Sequence, residues 1–311
     1  MGRIIDRVLD DVGDADLLDK LLSLQKSDLN TLLLEVYKLQ AEKLTPNGLL
    51  KAYQSNRFVV PSEINLIAYH QMETDLLKIA DNMGISGILL SPSAPFGSCS
   101  VFGCVDQNNV ISATRGTETL PDPTNMLAII ISDRLKNGAI TKMQTVHYCA
   151  TARVVRAQAF SGKGCFAHFG IFCMVSFGMD SGSYSCEKEL LVKQLAYYKR
   201  LFSEKYGAKL SIVLRKREGY TDGDGFFKRM TELIQNELPQ LPLSFDLDHE
   251  DNNYYRGINF KLYMEKDNEK VEIGDGGFVD WIAKMISNRK GRCLISGMGM
   301  DRMLLPLRTS G

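Results

Sequence analysis

The sequence has few of the residues that usually form metal sites. It contains four histidines, and its seven cysteines include no CxxC pair, so the spacing typical of zinc ligands is missing. We expect reduced thiols, most of them buried, and no metal site formed by protein side chains alone. The formal net charge at pH 7 is zero, because Lys plus Arg and Asp plus Glu each number 37. No overall field therefore attracts a nucleic acid or an anionic membrane.

Long apolar segments are also missing. The longest apolar run, residues 126–132, is far too short to cross a bilayer, and the N-terminus carries acidic residues where a signal peptide would be apolar. We therefore expect a cytoplasmic protein that does not associate with membranes. The 311 residues are 44% apolar and 24% charged, which is typical of a globular chain with one large domain or two modest ones.

Helical periodicity dominates the first part of the chain. Residues 3–43 predict two amphipathic helices, with Asp28 as the N-cap of the second. A longer helix is predicted from the Pro-Ser pair at 61 and 62 to Gly84. Residues 87–90 then predict a short buried strand.

From Thr145 onwards the pattern changes to strands interrupted by two helices. The helices are predicted at residues 187–206 and 226–237, and the strands at residues 146–155, 165–177, 210–214, 255–264 and 293–300. This order predicts an α+β fold with an antiparallel β-sheet flanked by helices. We divide the chain into an N-terminal helical extension, residues 1–60, and a core, residues 61–311.

Two segments place cations next to glycines. The first runs from a strand end at Arg156 into a glycine-bearing loop with Lys163. Such a hairpin can hold two cations over a polyphosphate, although solvated surface charges give the same pattern. In the second, SGMGMDRM, Gly297 and Gly299 let the backbone lie against a planar ligand such as adenine, and Arg302 can reach a phosphate. Glycines needed only for helix packing give this pattern as well.

A third segment combines aromatic residues with a glycine pair. Tyr254 and Tyr255 begin a predicted strand, and Gly276 and Gly277 predict a turn. Together they can line a small-molecule pocket. Paired tyrosines on a strand also occur as packing residues, so both interpretations stay open.

In this order the segments resemble the catalytic core of class II aminoacyl-tRNA synthetases, and within it the histidyl branch, over residues 64–307. The helix at 64–83 with GILLSPSAP resembles motif 1, VRAQ with FAHFGIF resembles motif 2, and SGMGMDRML resembles motif 3. NYYRGINF, GGFVD and ATRGTE are similar to three stretches typical of the histidyl branch.

The resemblance implies ATP and Mg²⁺ as cofactors and the activation of a carboxylic acid as its adenylate. Arg156 would contact the α-phosphate and Arg302 the γ-phosphate as the catalytic pair, because fixed guanidinium groups stabilise the charge that develops on the phosphate oxygens. Phe166 or Phe169 would stack on adenine. The other ATP-binding residues that the resemblance implies are Gln158, Lys163, Gly297 and Gly299.

The resemblance also implies a substrate pocket and a homodimer. Glu118 would hold the amino group of the substrate, as its counterpart in the family does. The other implied pocket residues are His168, Phe172, Tyr254, Tyr255, Gly276 and Gly277. The dimer would form through the helix at 64–83 and the strand that ends at Pro92. The apolar face that motivates it comprises Ile64, Ile67, Leu76 and Leu77.

Several positions depart from the histidyl pattern. The motif 2 glutamate is Gln158, and Phe172 occupies the position expected for the glutamate that recognises imidazole. A catalytic arginine is replaced by Glu250. We therefore expect a small amino or carboxylic acid other than histidine, with a neutral or basic amino acid favoured over an acidic one.

Two functions from different classes stay open. The first is an adenylate-forming ligase, and the alternative is a non-catalytic regulatory subunit resembling that of ATP-phosphoribosyltransferase. The chain ends nine residues after Arg302, so we expect no anticodon-binding domain. tRNA binding stays possible, although not by anticodon readout. ATP binding distinguishes the ligase from the regulator.

Overall fold

The computed structural model describes residues 2–158, 167–247, 254–266 and 269–307. The helices in these ranges are α1 (Gly2–Val12), α2 (Leu17–Ser23), α3 (Lys26–Glu42), α4 (Pro46–Ser55), α5 (Leu66–Asn82), α6 (Pro123–Lys136), α7 (Ser185–Leu201), α8 (Gly223–Glu237), α9 (Trp281–Met285) and α10 (Met300–Leu307). A π-helical turn, Phe202–Tyr206, continues α7. No helix in these ranges is long and apolar enough to span a bilayer.

The strands form one large sheet and one small one. They are β1 (Ser86–Gly87), β2 (Ser93–Pro95), β3 (Thr117–Thr119), β4 (Val146–Val155), β5 (His168–Met179), β6 (Lys209–Lys216), β7 (Leu243–Phe245), β8 (Arg256–Lys266), β9 (Glu269–Val279) and β10 (Gly291–Gly299). The large sheet has the order β1-β4-β5-β10-β9-β8-β6-β7, and β2 pairs with β3. Only β1/β4 and β6/β7 pair in parallel among the described strands. The predicted α+β fold, an antiparallel sheet flanked by helices, is confirmed.

Helices cover both faces of the large sheet. The core face is packed by α5, α7, α8 and α10, and its buried residues include Leu76, Phe172, Leu191, Phe260 and Met298. The opposite face, which we call the cavity face, is packed in part by α6 and α9, with Leu127, Ile131, Cys173, Ile282 and Ile295 among its buried residues. Side chains of a strand alternate between faces, so neighbouring residues such as Phe172 and Cys173 belong to different layers.

The N-terminal helices differ from the prediction in number and start. Three helices, α1 to α3, replace the two that were predicted, and α3 begins after Gln25, so Asp28 lies inside its first turn instead of capping it. The described residues of α2, α3 and α4 include no buried side chain. The extension contacts the core at a few points, such as the amide of Arg115, which donates to Asn30 Oδ1 at 3.0 Å. The division at residue 60 stays a prediction.

Two strand predictions also need correction. Residues 87–90 were expected to form a buried strand, but β1 ends at Gly87 and the side chain of Leu89 is 99% exposed. The glycine pair at 276 and 277 was expected in a turn, yet both residues lie inside β9, in the middle of the sheet. Helix α6 was not predicted; it begins where Asp122 Oδ1 accepts from the amide of Thr124 at 2.9 Å.

The described cysteines are free thiols. Five of the six are buried, and Cys104 is exposed. Burial raises the pKa of Cys149 and Cys186 to about 12, so both stay protonated at neutral pH. The expectation that most thiols are buried and reduced is confirmed for these residues.

Candidate functional site

A cavity of about 520 Å³ opens on the cavity face of the large sheet, where β4 ends and α10 begins. Its walls come from the ends of β4 and β5, from β9 and β10, from the first turn of α10, and from the segments around residues 105–110 and 121–124. The lining residues that carry polar or aromatic groups include Asp122, Arg156, Gln158, Phe169, Tyr254, Tyr255, Glu272, Asp275, Ser296 and Arg302.

Arg156 is fixed in the cavity wall just after β4. Its Nε donates to the carbonyl oxygen of Pro121 at 3.2 Å, and its Nη2 donates to Asp122 Oδ2 at 3.4 Å. The guanidinium lies over the ring of Phe169, 5.3 Å from the ring centroid. These contacts orient a cation whose remaining N–H groups can donate to a ligand.

Arg302 lies in the first turn of α10, after the strand that carries Gly297 and Gly299. Its Nη1 donates to the carbonyl oxygen of Glu272 at 3.5 Å, and the side chain is exposed. Both glycines line the cavity, so the backbone of β10 forms this wall without covering side chains. In the sheet order, β5 with Phe169 lies between the strands that lead to Arg156 and Arg302.

Asp301 is a cavity residue that the sequence analysis did not identify as functional. Its carboxylate is 1% exposed and accepts from the amide of Gly170 at 2.9 Å and from Arg153 Nη2 at 3.3 Å. These bonds tie the start of α10 to β5 and thereby position Arg302. In the sequence, the position of Asp301 directly before Arg302 was the signal that could have identified it.

Tyr254 and Tyr255 form the aromatic part of the cavity wall. Their rings meet edge to face with centroids 4.8 Å apart, and Tyr254 also packs edge to face on Trp281. The hydroxyl of Tyr255 donates to Asp275 Oδ2 at 3.1 Å. Burial raises the pKa of Asp275 and of both tyrosines, since the surroundings solvate their charged forms poorly.

Gly276 and Gly277 support the cavity from within the sheet, and neither is among its lining residues. A Cβ at Gly276 would lie 2.5 Å from the Phe260 ring on the core face. A Cβ at Gly277 would lie 2.6 Å from the ring of Tyr255. The pair therefore accommodates an aromatic ring on each face of β9, and the structure does not bring either glycine to the cavity surface with the other predicted substrate residues.

Glu118 is closed off from the cavity. It is fully buried on β3 and accepts from the amides of Gly97 and Ser98 at 3.0 Å each, from Ser98 Oγ at 2.6 Å and from Gln107 Nε2 at 2.8 Å. Four donors satisfy both oxygens of the carboxylate. Glu118 therefore does not share the cavity with Tyr254 and Tyr255, two of the other predicted substrate residues.

Phe172 and His168 face away from the cavity because strand residues alternate. Phe172 is fully buried on the core face and stacks on Tyr197 with centroids 5.1 Å apart, whereas its neighbour Ile171 lines the cavity. His168 Nδ1 accepts from Arg153 Nε at 3.0 Å, so Nε2 carries the proton and donates to the carbonyl oxygen of Val60 at 2.5 Å. Neither residue is among those that line the cavity.

Three residues of the predicted site or its surroundings lie outside the described ranges: Lys163, Phe166 and Glu250. Of the predicted ATP-binding residues, the structure brings Arg156, Gln158, Phe169, Gly297, Gly299 and Arg302 together in one cavity. Within the described ranges, no three or more His, Cys, Asp or Glu side chains are grouped so that they could hold a metal ion.

Comparison with solved structures identifies the fold. The chain superposes on an ATP phosphoribosyltransferase regulatory subunit/histidyl-tRNA synthetase from Bacillus halodurans with a TM-score of 0.61 and 15% identity, covering 80% of this chain and 81% of that one. Histidyl-tRNA synthetase from S. aureus superposes with a TM-score of 0.60 and 13% identity, covering 80% of this chain and 70% of that one. Histidyl-tRNA synthetase from Nostoc superposes with a TM-score of 0.58 and 13% identity, covering 82% of this chain and 75% of that one.

No family model matches the sequence, and neither does any curated protein. The likeness therefore concerns the fold, which is that of histidyl-tRNA synthetase-like class II synthetase cores. The resemblance seen in the sequence is confirmed at this level.

Proposed function

We propose that the protein binds ATP and activates a small amino or carboxylic acid other than histidine as its adenylate. The observation that carries this proposal is the placement of Arg156 and Arg302 in one cavity, on either side of the strand that presents Phe169. Two cations spaced by an aromatic ring and a glycine-lined strand suit a nucleotide, which combines phosphates with a planar base.

The residues then have distinct tasks in the reaction. A substrate carboxylate attacks the α-phosphorus, pyrophosphate leaves, and negative charge develops on the phosphate oxygens. Arg156, held by Pro121, Asp122 and the Phe169 ring, stabilises that charge from a fixed position. Arg302 binds the outer phosphates. Mg²⁺ would arrive with the phosphates and neutralise part of their charge.

The alternative is a non-catalytic regulatory subunit like the one named for the Bacillus halodurans neighbour. The burial of Glu118 favours it, because the carboxylate expected to orient an amino acid for attack is not available in the cavity. In this alternative the cavity binds a regulatory ligand and ATP turnover is lost.

ATP–pyrophosphate exchange across an amino-acid panel separates the two functions. We expect exchange with at least one neutral or basic amino acid, and none with histidine, aspartate or glutamate. Equilibrium binding of ATP is measured in parallel. A protein that neither binds ATP nor catalyses exchange with any acid contradicts the proposal and favours the regulatory subunit.

We also infer a homodimer that forms through the start of α5 and the segment after β1. Exposed apolar side chains there include Leu66 at 69%, Ile67 at 82% and Leu89 at 99%. Leu76 belongs to the core of its own chain, so it is not part of this surface. Light scattering at micromolar concentration should give a dimer, and Ile67→Glu should dissociate it. A monomeric parent protein would refute the interface.

A further inference from the structure

The charged residues that line the cavity are mostly acidic. Among the described lining residues, two guanidinium groups, those of Arg156 and Arg302, face four carboxylates: Asp122, Glu272, Asp275 and Asp301. A site for ATP alone would not need this excess, because carboxylates repel phosphates. The acidic side chains therefore require a separate explanation.

Three of the carboxylates have partners that hold the fold. Asp301 accepts from the amide of Gly170 at 2.9 Å, and Glu272 pairs with Lys261 Nζ at 2.8 Å. Asp122 caps α6, where it accepts from a backbone amide at 2.9 Å. Their presence in the cavity wall follows from these structural tasks.

Asp275 is different, because it has one hydrogen-bond donor and no ion pair within the described ranges. That donor is the hydroxyl of Tyr255, which contacts Oδ2 at 3.1 Å. Across the sheet, Asp275 pairs in register with Gly297, which has no side chain to cover it. Its carboxylate is consequently open to the cavity.

The surroundings of Asp275 suit a cation. The rings of Tyr254 and Tyr255 line the same cavity, and aromatic faces attract ammonium groups. Burial raises the pKa of Asp275, and the negative charges of Glu272 and Asp122 raise it further. The hydrogen bond from Tyr255 and the charge of Lys261 lower the pKa, but the net shift is upward. A bound cation would relieve the burial and the repulsion together.

We propose that Asp275 binds the ammonium group of an amino acid substrate. This inference rests on the proposed function, and it places at Asp275 the task that Glu118 cannot perform from its buried position. Asp275 is then the residue that makes the cavity select an amine-bearing acid over an acid without an amine.

Isothermal titration tests the assignment on the whole 311-residue chain with the twenty standard amino acids. Each binder is compared with the same carbon skeleton lacking the α-amino group, and lysine is also compared with 6-aminohexanoate. The variants are Asp275→Asn, which keeps an acceptor for Tyr255, and Asp280→Asn as the matched control. Asp280 directly follows β9 but lies outside the cavity, where it pairs with Arg256 and Lys284. Melting temperatures and ATP affinity are measured for every protein.

We expect binding to require an amino group, and Asp275→Asn to weaken it by about tenfold or more, since the buried-charge contact is lost. Asp280→Asn should change it by less than about twofold. If binding is lost when the α-amino group is removed, the group that Asp275 binds is the α-ammonium. If 6-aminohexanoate still binds, the group that Asp275 binds is the side-chain ammonium. Equal affinity for acids with and without amines overturns the inference, as does unchanged affinity in Asp275→Asn or no binding of any acid. Amine binding without ATP binding would instead leave the inference standing and refute the ligase.

Discussion

The two faces of β5 perform different tasks within one strand. On the core face Phe172 is fully buried against Tyr197, whereas on the cavity face Phe169 supports Arg156 at the edge of an open cavity. Residues that maintain the fold and residues that can contact a ligand therefore alternate along the strand. A shift of one residue in a sequence comparison exchanges the two tasks.

The largest expected effect comes from the core face. Phe172→Ala should lower the free energy of unfolding by about 3–5 kcal/mol, because it removes a stacked ring from a closed core. Phe169→Ala is the matched variant, and it should cost less stability but weaken ATP binding through Arg156. Urea unfolding and nucleotide titration measure both. Equal losses of stability in the two variants would remove the distinction between the faces.

A second variant tests the close packing of the core face at β9. Gly276→Ala should destabilise the protein by about 1–3 kcal/mol, because its Cβ would lie 2.5 Å from the Phe260 ring and 2.6 Å from the backbone oxygen of Ile295. Gly87→Ala on the edge strand β1 is the control, since its Cβ meets only Leu77 at 3.7 Å. Thermal unfolding of both variants should show a large loss only for Gly276→Ala.

On the cavity face the expected effects concern the ligand. Arg156→Ala and Arg302→Ala should each weaken ATP binding by about 1.5–3 kcal/mol, because each removes a charge-assisted contact to phosphate. Arg200→Ala, which breaks only an exposed ion pair with Glu204, is the control. Fluorescent-nucleotide titration gives the affinities. Unchanged ATP affinity in both cavity variants would support the regulatory alternative.

A change of pH gives a further test of the core face. His147 donates to or accepts from Ser176 Oγ at 2.8 Å, and burial, assisted by the charge of Lys193, lowers its pKa from 6.5 to about 4. The unfolded chain binds a proton below pH 6.5, whereas the folded chain does not until about pH 4. The free energy of unfolding should therefore fall as pH decreases through this window, by about 2 kcal/mol between pH 7 and 5.

His147→Gln should make that pH dependence shallower in urea titrations. The hydrogen bond to Ser176 can be kept by the amide, so the change in slope isolates the proton. A variant with the same slope as the parent would show that other groups set the acid sensitivity of the core face.

Much of the fold follows from sequence periodicity, and the site follows only in part. The bounds of β4 and the approximate positions of α5, α7 and α8 were predicted, because their apolar residues repeat at strand or helix spacing. Strand β9 was missed, since a Gly-Asp-Gly-Gly run has the composition of a turn. Glycine is needed at 276 and 277 because the rings of Phe260 and Tyr255 pack against these positions, and both rings belong to other parts of the chain.

The differences between the predicted site and the residues that line the cavity have a similar origin in nonlocal structure. Arg156 and Arg302 were predicted to share a site, and they do line one cavity. The direction of Phe172 depends on which residues of β5 face α7, and the burial of Glu118 depends on donors about twenty residues earlier, at Gly97 and Ser98. Neither can be read from local spacing.

The glycine pair in β9 has an evolutionary consequence. Gly276 makes room for Phe260 and Gly277 for Tyr255, but a Cβ at either position would also lie within 2.8 Å of a backbone oxygen, that of Ile295 or of Ile258. A smaller residue at 255 or 260 therefore does not make room for a side chain on β9. Homologous sequences should keep glycine at 276 and 277 even where the two rings change, so this part of the cavity wall limits how the site can be rebuilt for a different ligand.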